Sequence, residues 1–238
     1  MFFSVTNNQF QKRSGKIIRE INKFWIGIVF LLGLITVVGC RERPASEATP
    51  QTDAEQQFWI RVLLLDDVKT CVLKIASPFS ISDPCMQTTP SWSDKIDKPM
   101  NAEVSGGRIT IAGQSFTGSE ILISPASPLI FNLNGDDYRG RLKLIFNSDS
   151  NSFDIVNLVP LEPFLAGVIR AEMPDYWEEA ALETQTIAAR TYCLYIKRQF
   201  GKGRSWDMTK TQANQVYLGM KAESHQIWNA IKKTCNNS

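Results

Sequence analysis

The sequence predicts an α+β fold: an N-terminal antiparallel β-rich region followed by a helical core. Three observations carry this. From Phe58 to Val159, short apolar stretches alternate with Gly, Pro, Asn, Asp and Ser, the pattern of strands joined by tight turns. At Pro160 the apolar spacing changes from two to the helical 3.6. Before Phe58 the chain is first basic, then uncharged, then polar, so the packed part begins there. At 238 residues and 43% hydrophobic content, the chain can support one or two small domains with real cores.

The strands come in order. FWIRVLLLD at 58–66 is a buried strand and CVLKIASPFSI at 71–81 an alternating one, with Asp66-Asp67 as the turn between them. Residues 83–105 lack a readable period and are expected to form a long loop. Gly106-Gly107 then opens RITIAG at 108–113, followed by EILISP (120–125), LIFNLN (129–134), YRGRLKLIF (138–146) and FDIVNLV (153–159). Beyond them Leu161, Phe164, Leu165, Val168 and Ile169 fall at i, i+3, i+4, i+7 and i+8, predicting a helix from Pro160 to Glu172 that Pro174 ends. Asp175, with Glu178 three residues on, has the spacing of a capping box for a second helix from about Tyr176 to Phe200. Ala180, Ala181, Ala188 and Ala189 on it permit close packing.

Residues 24–39, FWIGIVFLLGLITVVG, carry no charge, and Lys12, Arg13, Lys16, Arg19 and Lys23 precede them against the one acid Glu20. Sixteen residues make only ~24 Å of helix, short for a stable bilayer span. Basic region, apolar run and small residue in this order are the layout of a secretory signal. The run ends in Val37-Val38-Gly39-Cys40, which resembles the lipobox of bacterial lipoproteins. That resemblance implies cleavage before Cys40 and lipidation of its thiol, and two acyl chains anchor far more firmly than one. The alternative is an uncleaved membrane anchor in which Cys40 is merely buried. Either way residues 41–238 are expected on the extracytoplasmic side of the membrane, since the positive charges stay inside. Residues 40–57 are polar and hold two prolines, a composition expected of a flexible tether.

Composition excludes some functions. The net charge is +2, and removing the basic leader leaves the exported body at about −2, without the field that phosphate recognition needs; nucleic acid is therefore not an expected partner. The single histidine, His225, excludes His-rich metal sites and multi-His mechanisms, and no metal or other cofactor is expected. Cys71, Cys85, Cys193 and Cys235 either form disulfides, with three possible pairings of which Cys71–Cys85 is the most local, or are buried as small apolar residues.

VNLVPLEPFLAGVIRAEMP (156–174), ALETQTIAARTYCLY (181–195) and WDMTKTQANQVYLG (206–219) together resemble the SpoIID/LytB family. Its pattern runs V-N-x-V-P-L-E-x-Y-L-x-G-V-V-x-x-E-M-P, then E-A-L-K-A-Q-A-V-A-A-R-T-Y-A, then Y-D-x-x-x-T-x-x-x-Q-V-Y-x-G. IRVLLLDDV near residue 60 and YRGRLKL near 140 resemble the stretch that precedes this core, so the likeness extends over most of residues 58–233. The chain thus divides into a signal peptide or anchor (1–39), the tether (40–57), the β-rich region (58–155) and the motif core (156–238).

The resemblance implies work on peptidoglycan. The sporulation member is a lytic transglycosylase that cleaves glycan strands between N-acetylmuramic acid and N-acetylglucosamine without water; other members enhance a cell-wall amidase and need cleave nothing. The glutamate of E-M-P, here Glu172, is implied as the catalytic acid/base. The chemistry is consistent with one carboxyl group, which can protonate the glycosidic oxygen and then deprotonate the sugar's own 6-hydroxyl. The alternative is an ordinary acid at a helix end. Arg190 either positions the glycan or pairs with a carboxylate for structure. Gln185, Tyr192, Gln215 and Tyr217 match family positions and can bind hydroxyls or stack on sugar rings, or serve packing. The expected partners are glycan strands, a cell-wall amidase and, through the N-terminus, a membrane.

The chain departs from the pattern where E-A-L-K becomes Ala180-Ala181-Leu182-Glu183, where Ala171 precedes the acid, and beyond Thr234, where family members continue with a further Gly-containing turn and strands and this sequence stops at Ser238. The resemblance therefore implies a core truncated at its C-terminus, either a shortened product or a reduced domain that binds without catalysis.

Overall fold

The strand-rich half builds two sheets, and the helices pack against them. The computed structural model describes residues 58–83, 91–92 and 96–235, all within the compact unit Asp53–Ser238. The expected signal, tether, Cys40 and Cys85 lie outside the described residues.

Among the described residues the first sheet has seven strands in the order β13-β1-β12-β11-β8-β3-β4. These are β1 (Trp59–Val68), β3 (Phe79–Ser82), β4 (Ser91–Trp92), β8 (Glu120–Pro125), β11 (Arg141–Asn147), β12 (Ser152–Pro160) and β13 (Met208–Thr209). The second has six in the order β10-β9-β2-β5-β6-β7: β2 (Thr70–Ile75), β5 (Ile96–Ser105), β6 (Arg108–Ile111), β7 (Gln114–Phe116), β9 (Ile130–Leu133) and β10 (Asp136–Arg139). Pairing is antiparallel throughout except for β1 with β13. The helices are α1 (Leu161–Glu172), α2 (Glu179–Phe200) and α3 (His225–Cys235), with a 3₁₀ turn, Gly219–Ala222, before the last. The α+β class is therefore as expected.

Several boundaries differ from expectation for physical reasons. The stretch 71–81 is two strands in different sheets, broken at Ala76-Ser77-Pro78, where proline cannot donate to a ladder. YRGRLKLIF is likewise two strands, parted at Gly140, whose φ of +104° is open to glycine alone. Asp66 and Asp67 are not a hairpin turn: β1 runs on through them with irregular register between Leu63 and Val68, and Asp67 sits at φ +53°. The expected loop 83–105 contains the ten-residue β5, between β2 and β6. α2 begins at Glu179 with Glu178 as N-cap and no side-chain cap bond, so the Asp175 capping box does not form; the Asp175 carboxylate lies 3.8 Å from Arg170 instead.

The five periodic residues of α1 are all buried, and Met173, in extended geometry before Pro174, ends the helix as that neighbour requires. Of the α2 alanines only Ala189 is fully buried; Ala180 and Ala188 face solvent. The buried side chains of both sheets and all three helices form one apolar cluster. β12 spans residues 155 and 156, so the strand-rich and motif segments share a strand.

Candidate functional site

The three sequence motifs converge on the first turns of α1. Tyr217, fully buried, lies with its ring 5.1 Å from Phe164 and 5.7 Å from Tyr138. Its hydroxyl donates to Asn157 Oδ1 at 3.0 Å, and Asn157 Nδ2 donates to the carbonyls of Arg139 and Arg141 at 3.0 and 3.1 Å. The ring rests on Gly167, where an added Cβ would come 2.4 Å from Tyr217 Cε2. The Asn of V-N, the Gly of G-V and the Tyr of Q-V-Y are thus one packing unit. Burial pushes the Tyr217 phenol strongly upward, and the neighbouring Tyr138 and Glu223 add to the shift.

Arg190 lies on α2 and binds the Glu162 carboxylate of α1 through Nε at 3.2 Å and Nη2 at 2.9 Å, while Nη1 donates to Thr234 on α3 at 3.3 Å. A two-pronged guanidinium–carboxylate pair is strong and directional, and here it joins the three helices. Of the two roles open to Arg190, the structure realises the carboxylate pair. Gln215 is buried and accepts from the Cys193 thiol at 3.4 Å. Burial pushes that thiol up to about 12. Tyr192 is half-buried, and its hydroxyl accepts from Asn214 at 3.3 Å. Gln185 is half-buried on α2. Cys71 is a buried thiol pushed up to about 12 by desolvation.

Sequence reasoning did not single out Asp207, the acid of the W-D motif. It is buried, with its side chain 0% exposed. Oδ1 accepts from Arg61 Nη2 at 2.7 Å and Nε at 3.1 Å, and Oδ2 accepts from the Arg61 backbone at 2.8 Å and from Lys197 at 3.3 Å. Lys197 also donates to the Trp59 carbonyl. The signal was present: a lone acid in a motif that otherwise reads as packing.

Glu172 stands apart from all of these. It is the last residue of α1 and is exposed to solvent. No hydrogen bond or ion pair holds its carboxylate among the described residues. After Met173 and Pro174 the chain presents Tyr176, 82% exposed, and Trp177, 51% exposed, before α2 begins. The structure therefore separates the motif residues into a buried set that fastens α1, α2 and α3, and one open turn carrying a carboxylate and two ring faces. It does not bring Arg190, Gln215 or Tyr217 to Glu172. Among the described residues no group of three or more His, Cys, Asp or Glu is placed to hold a metal ion.

Residues 149–237 match the family model described as stage II sporulation protein, SpoIID. An uncharacterized protein of Brachyspira hyodysenteriae is 33% identical over 104 residues, 44% of this chain and 28% of that protein. The amidase enhancer of Bacillus subtilis is 31% identical over 97 residues, 40% of this chain and 14% of that protein. The chain thus spans under a third of the length of either relative. No solved structure matches it. The matched stretch runs from the turn before β12 past the end of α3 and contains Asn157, Gly167, Arg190, Asp207 and Tyr217; over residues 149–237 the chain is similar to the SpoIID family.

Proposed function

We propose that this protein is a cell-wall-directed module that contacts peptidoglycan glycan strands through the α1–α2 turn and assists a partner wall amidase. The observation that carries this is the open turn itself: Glu172, Tyr176 and Trp177 lie exposed together at the end of the E-M-P match. Aromatic faces stack on the C–H faces of sugar rings, and a nearby carboxylate accepts from their hydroxyls. The amidase is named by the Bacillus relative and is carried over as part of the proposal. The basic, then apolar, then small-residue order before Cys40 supports export and a membrane anchor, which would hold the module beside the wall.

Co-sedimentation of the full chain with purified sacculi tests the reading, together with release of stem peptides by a purified N-acetylmuramoyl-alanine amidase with and without it. Binding that Tyr176→Ala and Trp177→Ala weaken by about tenfold each, and faster peptide release, are expected. An unbound wild-type chain overturns the proposal.

A second reading, non-hydrolytic cleavage of the glycan by Glu172, is favoured by the exposed position of that carboxylate, where a polymer can reach it. It predicts 1,6-anhydro ends from glycan strands incubated with the wild type and none with Glu172→Gln. Ends formed equally by both proteins rule out the acid/base role.

A further inference from the structure

α2 is apolar on two opposite sides. One side, with Leu182, Ala189, Cys193 and Ile196, is buried. Diametrically across the helix, at 3.6 residues per turn, lie Thr184, Ile187, Ala188, Thr191, Leu194 and Tyr195, within an arc of about 120°. All six are exposed. They form a strip about 17 Å long, with no charged residue inside it before Arg198. The threonine hydroxyls are turned back onto the helix, donating to the carbonyls of Ala180 at 2.8 Å and Ile187 at 2.9 Å, so neither keeps a free donor. The outer side of a surface helix is ordinarily charged, and a helix apolar on both sides is ordinarily covered on both. Apolar side chains scattered singly over a surface need no explanation, whereas a continuous strip rimmed by polar ones marks an interaction site.

The charges at the two ends of the helix select the occupant. Glu178 precedes α2, and Arg198 and Lys202 close it; none of the three is ion-paired among the described residues. The other acids at its start, Glu179 and Glu183, are held by Lys233 at 2.5 and 3.7 Å. A second copy of the helix laid antiparallel sets the acidic start of each against the basic end of the other and opposes the two helix dipoles. A parallel copy would set base against base. The strip is also self-complementary, as a two-fold interface requires: an axis through Thr191 places Ile187 opposite Tyr195 of the other copy and Ala188 opposite Leu194, a small residue facing a large one. Helices that lie on lipid are rimmed by Lys and Arg; this strip is rimmed by Glu183 and Gln199.

We propose that two copies of this chain associate through the outer side of α2, antiparallel and centred on Thr191. The proposal is independent of the function proposed above, which needs one copy only. One helix side is smaller than the roughly 800 Å² per partner of a standard interface, so a dissociation constant in the micromolar range is expected.

The test follows the full chain in a nonionic detergent by sedimentation velocity from about 1 to 100 μM, with disulfide trapping of single-cysteine additions against the wild-type background. A monomer–dimer equilibrium is expected, and Ile187→Glu and Tyr195→Glu are expected to raise its dissociation constant by about tenfold or more. Gln226→Glu, exposed on α3, is expected to leave it unchanged, and melting curves verify that each variant folds. On gentle oxidation Thr191→Cys is expected to link to itself, and Ile187→Cys to link to Tyr195→Cys in a mixture more than to itself. Self-linking by Ile187→Cys as strong as that by Thr191→Cys refutes the antiparallel register. A monomer throughout, or a dimer that both glutamate variants leave intact, overturns the α2 interface. Binding to phosphatidylcholine vesicles that both glutamate variants abolish, without linking by Thr191→Cys, assigns the strip to lipid and overturns it as well.

Discussion

Asp207→Asn is the sharpest perturbation of this fold. The native carboxylate holds Arg61 through three donors and Lys197 through a fourth, and its side chain is fully buried. The amide keeps the shape but removes the charge and turns one acceptor into a donor, leaving two cations facing a neutral group. Removing one member of a buried ion pair costs about 3–5 kcal/mol. Arg61 and Lys197 keep 26% and 30% of their side chains exposed, so water relieves part of the loss and the lower end, about 3 kcal/mol, is expected. For a domain of this size that is a fall of about 6–12 °C in Tm. Urea denaturation followed by far-UV circular dichroism measures the free energy directly, and a double-mutant cycle with Arg61→Met isolates the pair. A loss below about 1 kcal/mol, or a cycle with no coupling, refutes the assignment of Asp207 as the clasp between β1 and the segment after α2.

Tyr217→Phe strands Asn157 Oδ1 in the core and is expected to cost about 1–3 kcal/mol in urea denaturation; a neutral result would mean that water reaches Asn157. Gly167→Ala drives a methyl into the buried Tyr217 ring and is expected to destabilise by about 1–3 kcal/mol despite the better helix propensity of alanine, a thermal melt being sufficient to see it. Cys71 and Cys193 ionise at about 12 in the folded chain against an ordinary value of 9.0. Above pH 9 the unfolded chain therefore releases these protons first. Stability is full below that pH and falls as pH rises toward 12, by about 1.4 kcal/mol per pH unit for each thiol; denaturation curves of Cys71→Ala and Cys193→Ala between pH 8 and 11 check the slope, which each variant should flatten.

The parts legible in the sequence are those whose signal is local. The apolar period of α1, the strand at 120–125 and the stop at Pro174 all depend on near neighbours, and all stand; the strand expected at 108–113 also forms but ends at Ile111, where Ala112 and Gly113, both at positive φ, make the turn into β7. β5 escaped notice because its inward residues, Met100, Ala102 and Val104, alternate with polar ones around a proline and include only one large side chain; its strand character comes from β2 and β6 on either side. The strand breaks at Pro78 and Gly140 are visible locally, but their result, a change of sheet, is not. At the site, Glu172 and Gln215 both match motif positions, and only the fold separates an exposed carboxylate from a buried amide. Asp207 was passed over for the same reason: its partner Arg61 lies 146 residues away.

That separation has a bearing on how the chain comes to fold. β1 lies between β12 (Ser152–Pro160) and β13 (Met208–Thr209), so among the described strands the first one made has no flanking partner in its own sheet until residue 160 has been added, and lacks its second until residue 209. Contacts of such long range close slowly, and until they do, Ile60, Val62 and Leu64 remain open to water. The W-D segment then adds β13 on the other side of β1 and brings the Asp207 carboxylate onto Arg61, so the strand made first is among the last to be enclosed.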